Sequence, residues 1–222
     1  MSAFEGGFAA PVAEAQAAFR GLMEAMAQPG QIARLGQGLA PPAPVSPAAG
    51  AILLALADVE TPVWFEGAEP AAPPAAPPAA RGGAEPASPA GVGGAGAAPA
   101  AEWLRFHTGA PRAATPEAAA FVLLAAGSPV TGWARFAAGT AADPHLSATL
   151  ILPVAALTGG AGLVLSGPGI DGVARIAPRG LPAGFAPAMA ANAARFPLGF
   201  DLILTCGTGA IALPRTTRSA EG

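Results

Sequence analysis

The sequence predicts an α/β protein whose mixed sheet is covered on both faces by helices. Two segments, TLILPV within 148–154 and DLILTC ending at Cys206, are apolar almost throughout. Such composition is typical of strands that are buried on both faces. A glycine-rich turn at 207–209 leads from the second strand to another apolar segment at 211–213, which favours an antiparallel hairpin. The predicted architecture is therefore three-layered, α/β/α, around a mixed sheet.

Three helices are predicted from periodicity and end signals. Pro11 suits a first helical position, and apolar residues recur near one face until Pro29-Gly30 stops the first helix. Ser46-Pro47 caps a second helix that is apolar on nearly all sides. The third helix is predicted from about 182 to 192. The further predicted strands are short and lie at 31–35, 63–65, 103–107, 121–124 and 162–166.

One low-complexity segment interrupts a single domain of residues 1–222. Between Glu66 and Ala101, thirty of thirty-six residues are alanine, proline or glycine. Such a segment has too little apolar surface to offset the entropy of ordering it. We therefore expect a flexible insertion at 66–101 within the domain.

Composition excludes several classes of function. All eleven basic residues are arginine, so a pyridoxal phosphate anchor and a P-loop lysine are ruled out. One cysteine cannot hold an iron–sulfur cluster, and two histidines are too few for the commonest catalytic zinc sites unless carboxylates or partners complete the set. We therefore expect no metal and no cofactor. A net charge of −3 disfavours nucleic acid. The apolar runs are too short to span a membrane, so we expect no transmembrane segment. The acidic amino terminus and the lone cysteine predict a cytoplasmic protein.

The segment LRFHTGAP holds the first candidate site. Arg105, His107 and Thr108 combine a cation, an imidazole and a hydroxyl. On the predicted strand, Arg105 and His107 would share one face and could clamp a phosphate, phosphonate or carboxylate. The alternative is that backbone carbonyls satisfy both side chains.

The terminal segment LPRTTR holds the second candidate site. Arg215, Thr216 and Thr217 form a set of cation and hydroxyls that suits an anion, and a shared cleft with Arg105 and His107 is one hypothesis. A solvated tail is the alternative. Asp201 is interpreted as a structural hydrogen-bond acceptor, and Cys206 as a structural thiol. The segment SGPGI at 166–170 is interpreted as a turn.

Several segments in order resemble the PhnH family, which supplies the H subunit of the bacterial carbon-phosphorus lyase system. They are APVAEAQAAFRGLMEAMAQPG, DVETPVW, LRFHTGAP, GTAADPHLSATLILPVAAL, GPGI, FPLGFDLILTCG and LPRTT. The resemblance spans the chain apart from 66–101, where this sequence is expanded.

The resemblance implies a fold similar to the large domain of pyridoxal-phosphate-dependent transferases, without that cofactor, and a homodimer. It also implies a core complex with G, I and J subunits. The G, H and I subunits, with an accessory L subunit, would form ribose 1-methylphosphonate 5-triphosphate from ATP and methylphosphonate. Two roles for this chain remain open: a scaffold or docking subunit without a ligand site, and a subunit that binds a phosphorylated or phosphonate ligand.

Overall fold

A computed structural model describes residues 5–67 and 97–222. Four α-helices lie in these ranges: α1 (Pro11–Ala27), α2 (Pro47–Leu56), α3 (Ala97–Thr108) and α4 (Phe185–Ala193). The strands are β1 (Ile32–Arg34), β2 (Val63–Phe65), β3 (Phe121–Leu123), β4 (Thr149–Pro153), β5 (Leu163–Ser166), β6 (Ala174–Ile176), β7 (Asp201–Cys206), β8 (Gly209–Leu213) and β9 (Arg218–Glu221).

The main sheet has six strands in the order β1-β8-β7-β4-β3-β2. Strands β2, β3, β4 and β7 pair in parallel, whereas β8 pairs antiparallel with both β7 and β1. The mixed sheet and the antiparallel hairpin of β7 and β8 are therefore confirmed. The hairpin bends through Gly207 and Thr208, between the paired residues Cys206 and Gly209.

Both faces of this sheet are buried, as the apolar strands predict. Along β4, Ile151 packs into a core with α1, α2 and α3, while Leu150 and Leu152 pack into a second core with α4 and the segment around Trp133. All three side chains are fully buried. Because successive side chains point to opposite faces, a strand that serves two cores must be apolar at every position.

The first two helices form as the sequence predicts. Helix α1 begins at Pro11 and ends just before Pro29. Helix α2 begins after Ser46, whose Oγ accepts a hydrogen bond from the Ala49 amide at 3.2 Å. This cap satisfies one of the helix's initial amides, which have no partner within the helix.

The strand predicted at 103–107 is wrong, because these residues belong to helix α3. Its buried residues Ala97, Ala100, Ala101 and Leu104 recur at the three- and four-residue spacing of one helical face. Three of these four are alanines that the compositional interpretation had assigned to the insertion. When these alanines are left out, the remaining segment WLRFH is too short to show a helical period, and its alternation resembles that of a strand.

The predicted insertion at 66–101 lies mostly outside the described residues, but its described ends are ordered. Residues 97–101 form the first turn of α3, so the predicted boundary at 101 is wrong. At the other end, Glu66 accepts a hydrogen bond from the Ala125 amide at 2.9 Å and forms an ion pair with Arg135. Strand β2 therefore ends at an anchored residue.

A second sheet, in the order β6-β5-β9, was not predicted beyond β5. It covers part of the α4 side of the main sheet, and Leu163, Leu165 and Ile176 enter the second core. Strand β9 lies in the segment for which a solvated tail was one interpretation. Ser219 on β9 is buried and donates a hydrogen bond to the Ala186 carbonyl of α4 at 3.3 Å.

Candidate functional site

Helix α3 separates the two charged residues of the first candidate site. At about 100° per residue, positions 105 and 107 differ by roughly 200° around a helix axis. Arg105 and His107 therefore point to nearly opposite sides, and the clamp that depended on a shared strand face does not form. The local cause is the helical conformation of residues 97–108.

His107 lies against the amino-terminal segment of the chain. Its ring makes edge contacts with Trp103 and Phe106, at centroid distances of 5.2 and 5.1 Å. A methyl group at Gly7 would lie 2.4 Å from the imidazole, and the Trp103 Nε1 donates to the Glu5 carbonyl at 3.0 Å. Partial burial lowers the pKa of His107 below its ordinary value. His107 is exposed overall, and its ring packs against aromatic side chains and the backbone of Gly7.

Thr108 ends helix α3. Its hydroxyl donates to the Leu104 carbonyl at 2.9 Å and accepts a hydrogen bond from the Ala110 amide at 3.1 Å. Gly109 follows with a positive φ of 76°, a conformation that glycine adopts without strain. The hydroxyl of Thr108 is thus committed to the helix terminus.

Arg105 lines an open groove of about 490 Å³ on the outer side of α3. Glu102, Gly109 and Arg112 also line it, together with Ala98, Ala101 and Pro111. Arg105 and Arg112 are both exposed. Two arginines and one glutamate therefore line the groove, and His107 is not among its lining residues.

Arg215, the cation of the second candidate site, forms an ion pair with Asp201. Its Nη2 lies 2.6 Å from Oδ2 and its Nε lies 3.3 Å from Oδ1, while its backbone amide donates to Oδ1 at 2.8 Å. Both side chains are largely buried, with 16% and 17% exposed. The interpretation of Asp201 as a structural acceptor is confirmed.

The Nη1 atom of Arg215 donates hydrogen bonds to backbone carbonyls in two loops. Nη1 donates to the Pro144 carbonyl at 2.7 Å and more weakly to the Pro197 carbonyl at 3.5 Å. Thr217 is buried, and no partner for its hydroxyl lies among the described residues, while Thr216 is half-buried. The guanidinium of Arg215 therefore faces internal acceptors, and a cleft that it shares with Arg105 stays a prediction.

The other candidate residues behave as packing or turn residues. The Cys206 thiol lies 3.5 Å from the Ala155 carbonyl. Residues 167–170 form the expected turn, closed by a hydrogen bond from the Ile170 amide to the Gly167 carbonyl. A Cβ at Gly169 would lie 2.0 Å from the Ala27 carbonyl, so α1 and this turn approach too closely for any side chain. Among residues 5–67 and 97–222, no cluster of three potential metal ligands is present.

One surface feature was not predicted: a stripe of exposed apolar side chains on α1. Val12, Phe19 and Met23 are 75%, 45% and 40% exposed, and their spacing of seven and four residues places them on one line along the helix. The buried face of α1 is a different one, formed by Ala18, Leu22 and Ala25. The apolar periodicity of the sequence groups Val12, Phe19 and Met23 with Leu22 near one face, so it does not separate the exposed residues from the buried ones.

The fold and these contacts define an α/β protein with a mixed six-stranded sheet and an exposed apolar stripe on α1. None of the helices in those residues is long and apolar enough to cross a membrane. A family model described as bacterial phosphonate metabolism protein (PhnH) matches residues 6–78 and 94–220. The chain belongs to the PhnH family.

Two named relatives extend this finding. The alpha-D-ribose 1-methylphosphonate 5-triphosphate synthase subunit PhnH of Rhizobium meliloti is 41% identical over 215 residues, which cover 97% of this chain and 94% of the relative. A Stutzerimonas stutzeri protein, provisionally named C-P lyase subunit HtxG, is 36% identical over 106 residues, which cover 48% of this chain and 53% of that protein. The family match omits residues 79–93, which lie within the predicted insertion.

The ion pair of Asp201 and Arg215 should contribute strongly to stability. Asp201→Asn leaves the guanidinium largely buried without its counter-ion, and we expect the free energy of unfolding to fall by about 3 kcal/mol. Urea unfolding measures this loss. The control is Glu66→Gln, whose partner Arg135 is 37% exposed, so its loss should stay below about 1 kcal/mol. Equal, small losses in both variants would contradict the structural role of Asp201.

His107 should make the fold less stable in acid. Its pKa is lower in the folded protein than in the unfolded chain, so the unfolded chain takes up the proton first. Its stabilising effect is complete above about pH 6.5 and is lost as the pH falls through the lowered folded pKa. Melting temperatures between pH 7.5 and pH 5 should fall more steeply for the wild type than for His107→Gln. Parallel curves would contradict this prediction.

Proposed function

We propose that this chain is an assembly subunit of the machinery for organic phosphonate catabolism. In that role it supports the formation of ribose 1-methylphosphonate 5-triphosphate from ATP and methylphosphonate. The name of the Rhizobium meliloti relative supports this proposal. The chain forms a homodimer and joins G, I and J subunits, as the family resemblance implies.

The observation that carries an assembly role is the apolar stripe on α1, set against the separation of the predicted ligand-binding residues. The stripe places Val12, Phe19 and Met23 in solvent on an ordered helix. Large side chains aligned on one exposed face are typical of a surface that another chain covers. Arg215 and Thr108, by contrast, are occupied by internal hydrogen bonds.

The stripe suits an amphipathic helix of the I subunit. Arg20 is exposed and is the charged residue closest to the stripe, so a partner face with apolar residues and one carboxylate would complement it. A second copy fits less well. Antiparallel pairing of two identical stripes would place both Arg20 side chains on the same flank of the contact.

Substitutions in the stripe should impair assembly without unfolding the chain. For Phe19→Ser combined with Met23→Ser, we expect the affinity for a reconstituted complex of the G, I and J subunits to fall at least tenfold, measured by titration calorimetry. The loss of two buried contacts of about 1.5 kcal/mol each would suffice. The matched control is Val173→Ser, because Val173 is 55% exposed on another surface. Unchanged affinity in the double variant would contradict docking through α1.

The second candidate function is ligand binding in the groove on α3, which the presence of Arg105 in its lining favours. A phosphate or phosphonate group there would accept charge-assisted hydrogen bonds from Arg105. In that case Arg105→Ala should weaken calorimetric binding of ATP or methylphosphonate roughly ten- to hundredfold, since such a bond contributes about 1.5 to 3 kcal/mol. Arg175→Ala, an exposed arginine on the small sheet, is the control. Unchanged ligand affinity would contradict ligand binding in this groove, and only the assembly role would remain.

Three finer expectations belong to the same proposal. The fold is similar to the large domain of pyridoxal-phosphate-dependent transferases, and the mixed sheet between two cores supports this likeness. The chain needs no pyridoxal phosphate, because it has no lysine to bind it. It acts in the cytoplasm, where a single unpaired cysteine is an ordinary feature.

A further inference from the structure

Strand β1 forms one edge of the main sheet. In the described part of the chain, β8 is its only strand partner, and the other side of β1 carries no strand. Strand β1 contains no proline, and Ile32 is 42% exposed. An open edge with free amides and carbonyls is a template for pairing with another strand.

The register of β1 decides which backbone groups point outward. Ala33 lies opposite Ala210, and the Leu35 amide donates to the Thr208 carbonyl at 2.7 Å. Hydrogen-bonded pairs alternate along an antiparallel ladder, so Ala33 also points its backbone groups toward β8. The amides and carbonyls of Ile32 and Arg34 therefore point to the open side.

The side chains of β1 divide between the two faces of the sheet. Ala33 packs against the core that contains α1 and α2. Ile32 and Arg34, one position to either side, lie on the opposite face, and both are exposed. Around Ala33, the edge thus presents one apolar and one cationic side chain, each with an outward amide and carbonyl.

We propose that two copies of this chain pair antiparallel through β1, with the two-fold axis at Ala33. Ile32 of each copy then lies opposite Arg34 of the other. The two outward amides and two outward carbonyls of each copy form hydrogen bonds with those of the other copy. The two six-stranded sheets become one continuous sheet. This inference rests on the homodimer of the proposed function and assigns its surface.

Self-complementarity favours a second copy over a different partner. A single two-fold rotation satisfies every outward group of Ile32 and Arg34, which is the property of an isologous contact. It also lays the aliphatic part of each Arg34 over the exposed Ile32 of the other copy. The rotation axis is perpendicular to the sheet, so both α1 helices lie on the same face beside the contact. There, Gly21, Glu24 and Gln28 line a groove of about 400 Å³ along β1, which can admit side chains of the second copy.

The test exchanges charge across the cross-strand pair. Ile32→Arg places two guanidinium groups opposite each other at both ends of the contact, and the dimer dissociation constant from sedimentation should rise at least tenfold. Ile32→Glu pairs with Arg34 of the second copy and should leave dimerisation equal or tighter. The double variant Ile32→Arg with Arg34→Glu should restore the wild-type constant. Val173→Arg is the control for an added surface charge.

The outcomes separate the pairing mode from the homodimer itself. A wild-type dimer that is insensitive to all three β1 variants would overturn pairing through β1 and leave the homodimer standing. A wild-type monomer at micromolar concentration would overturn both, whereas docking through α1 is judged by the Phe19 and Met23 variant.

Ala33→Cys in a Cys206→Ser background gives a second measurement. Opposed Cα atoms in a non-hydrogen-bonded pair lie about 4.5 Å apart, so oxidation should link two copies at residue 33, and failure to link a confirmed dimer would contradict the register.

Discussion

The ion pair between Asp201 and Arg215 joins the central hairpin of the main sheet to two loops. Asp201 begins β7, and Arg215 lies two residues beyond the end of β8, so the pair closes the open end of the central hairpin. The same guanidinium binds the loops that precede β4 and β7. A charge pair that is mostly buried is stable only when its remaining donors are satisfied, and the two proline carbonyls meet that need.

This contact also explains several of the segments that carry the family resemblance. Pro144 lies in GTAADPHLSATLILPVAAL, Pro197 and Asp201 lie in FPLGFDLILTCG, and Arg215 lies in LPRTT. The three segments are distant in sequence and meet at one guanidinium group. At this point residues of the three segments join loops to the sheet.

The surfaces left open by this core are distinct in kind. Helix α1 exposes apolar side chains, strand β1 exposes backbone donors and acceptors, and the groove on α3 exposes guanidinium groups. Helix and strand surfaces bind chains of different conformation, because one offers a stripe of side chains and the other a hydrogen-bonding edge. The proposed function assigns the strand edge to a second copy and the stripe to an unlike subunit.

The sequence by itself determined the mixed sheet, the hairpin after β7, helices α1 and α2, and the family. These features rest on local patterns: continuous apolar strands, a glycine turn and helix-end residues. Only the tertiary structure decided the contacts of His107 and Arg215 and the helical setting of Arg105. The helical state of 97–108 depends on burying Ala100 and Leu104 against distant helices, and the partner of Arg215 lies fourteen residues earlier in the chain. Neither the helices that pack against α3 nor the partner of Arg215 can be read from the motifs LRFHTGAP and LPRTTR. The motifs show which chemical groups are available, and the fold decides what those groups contact.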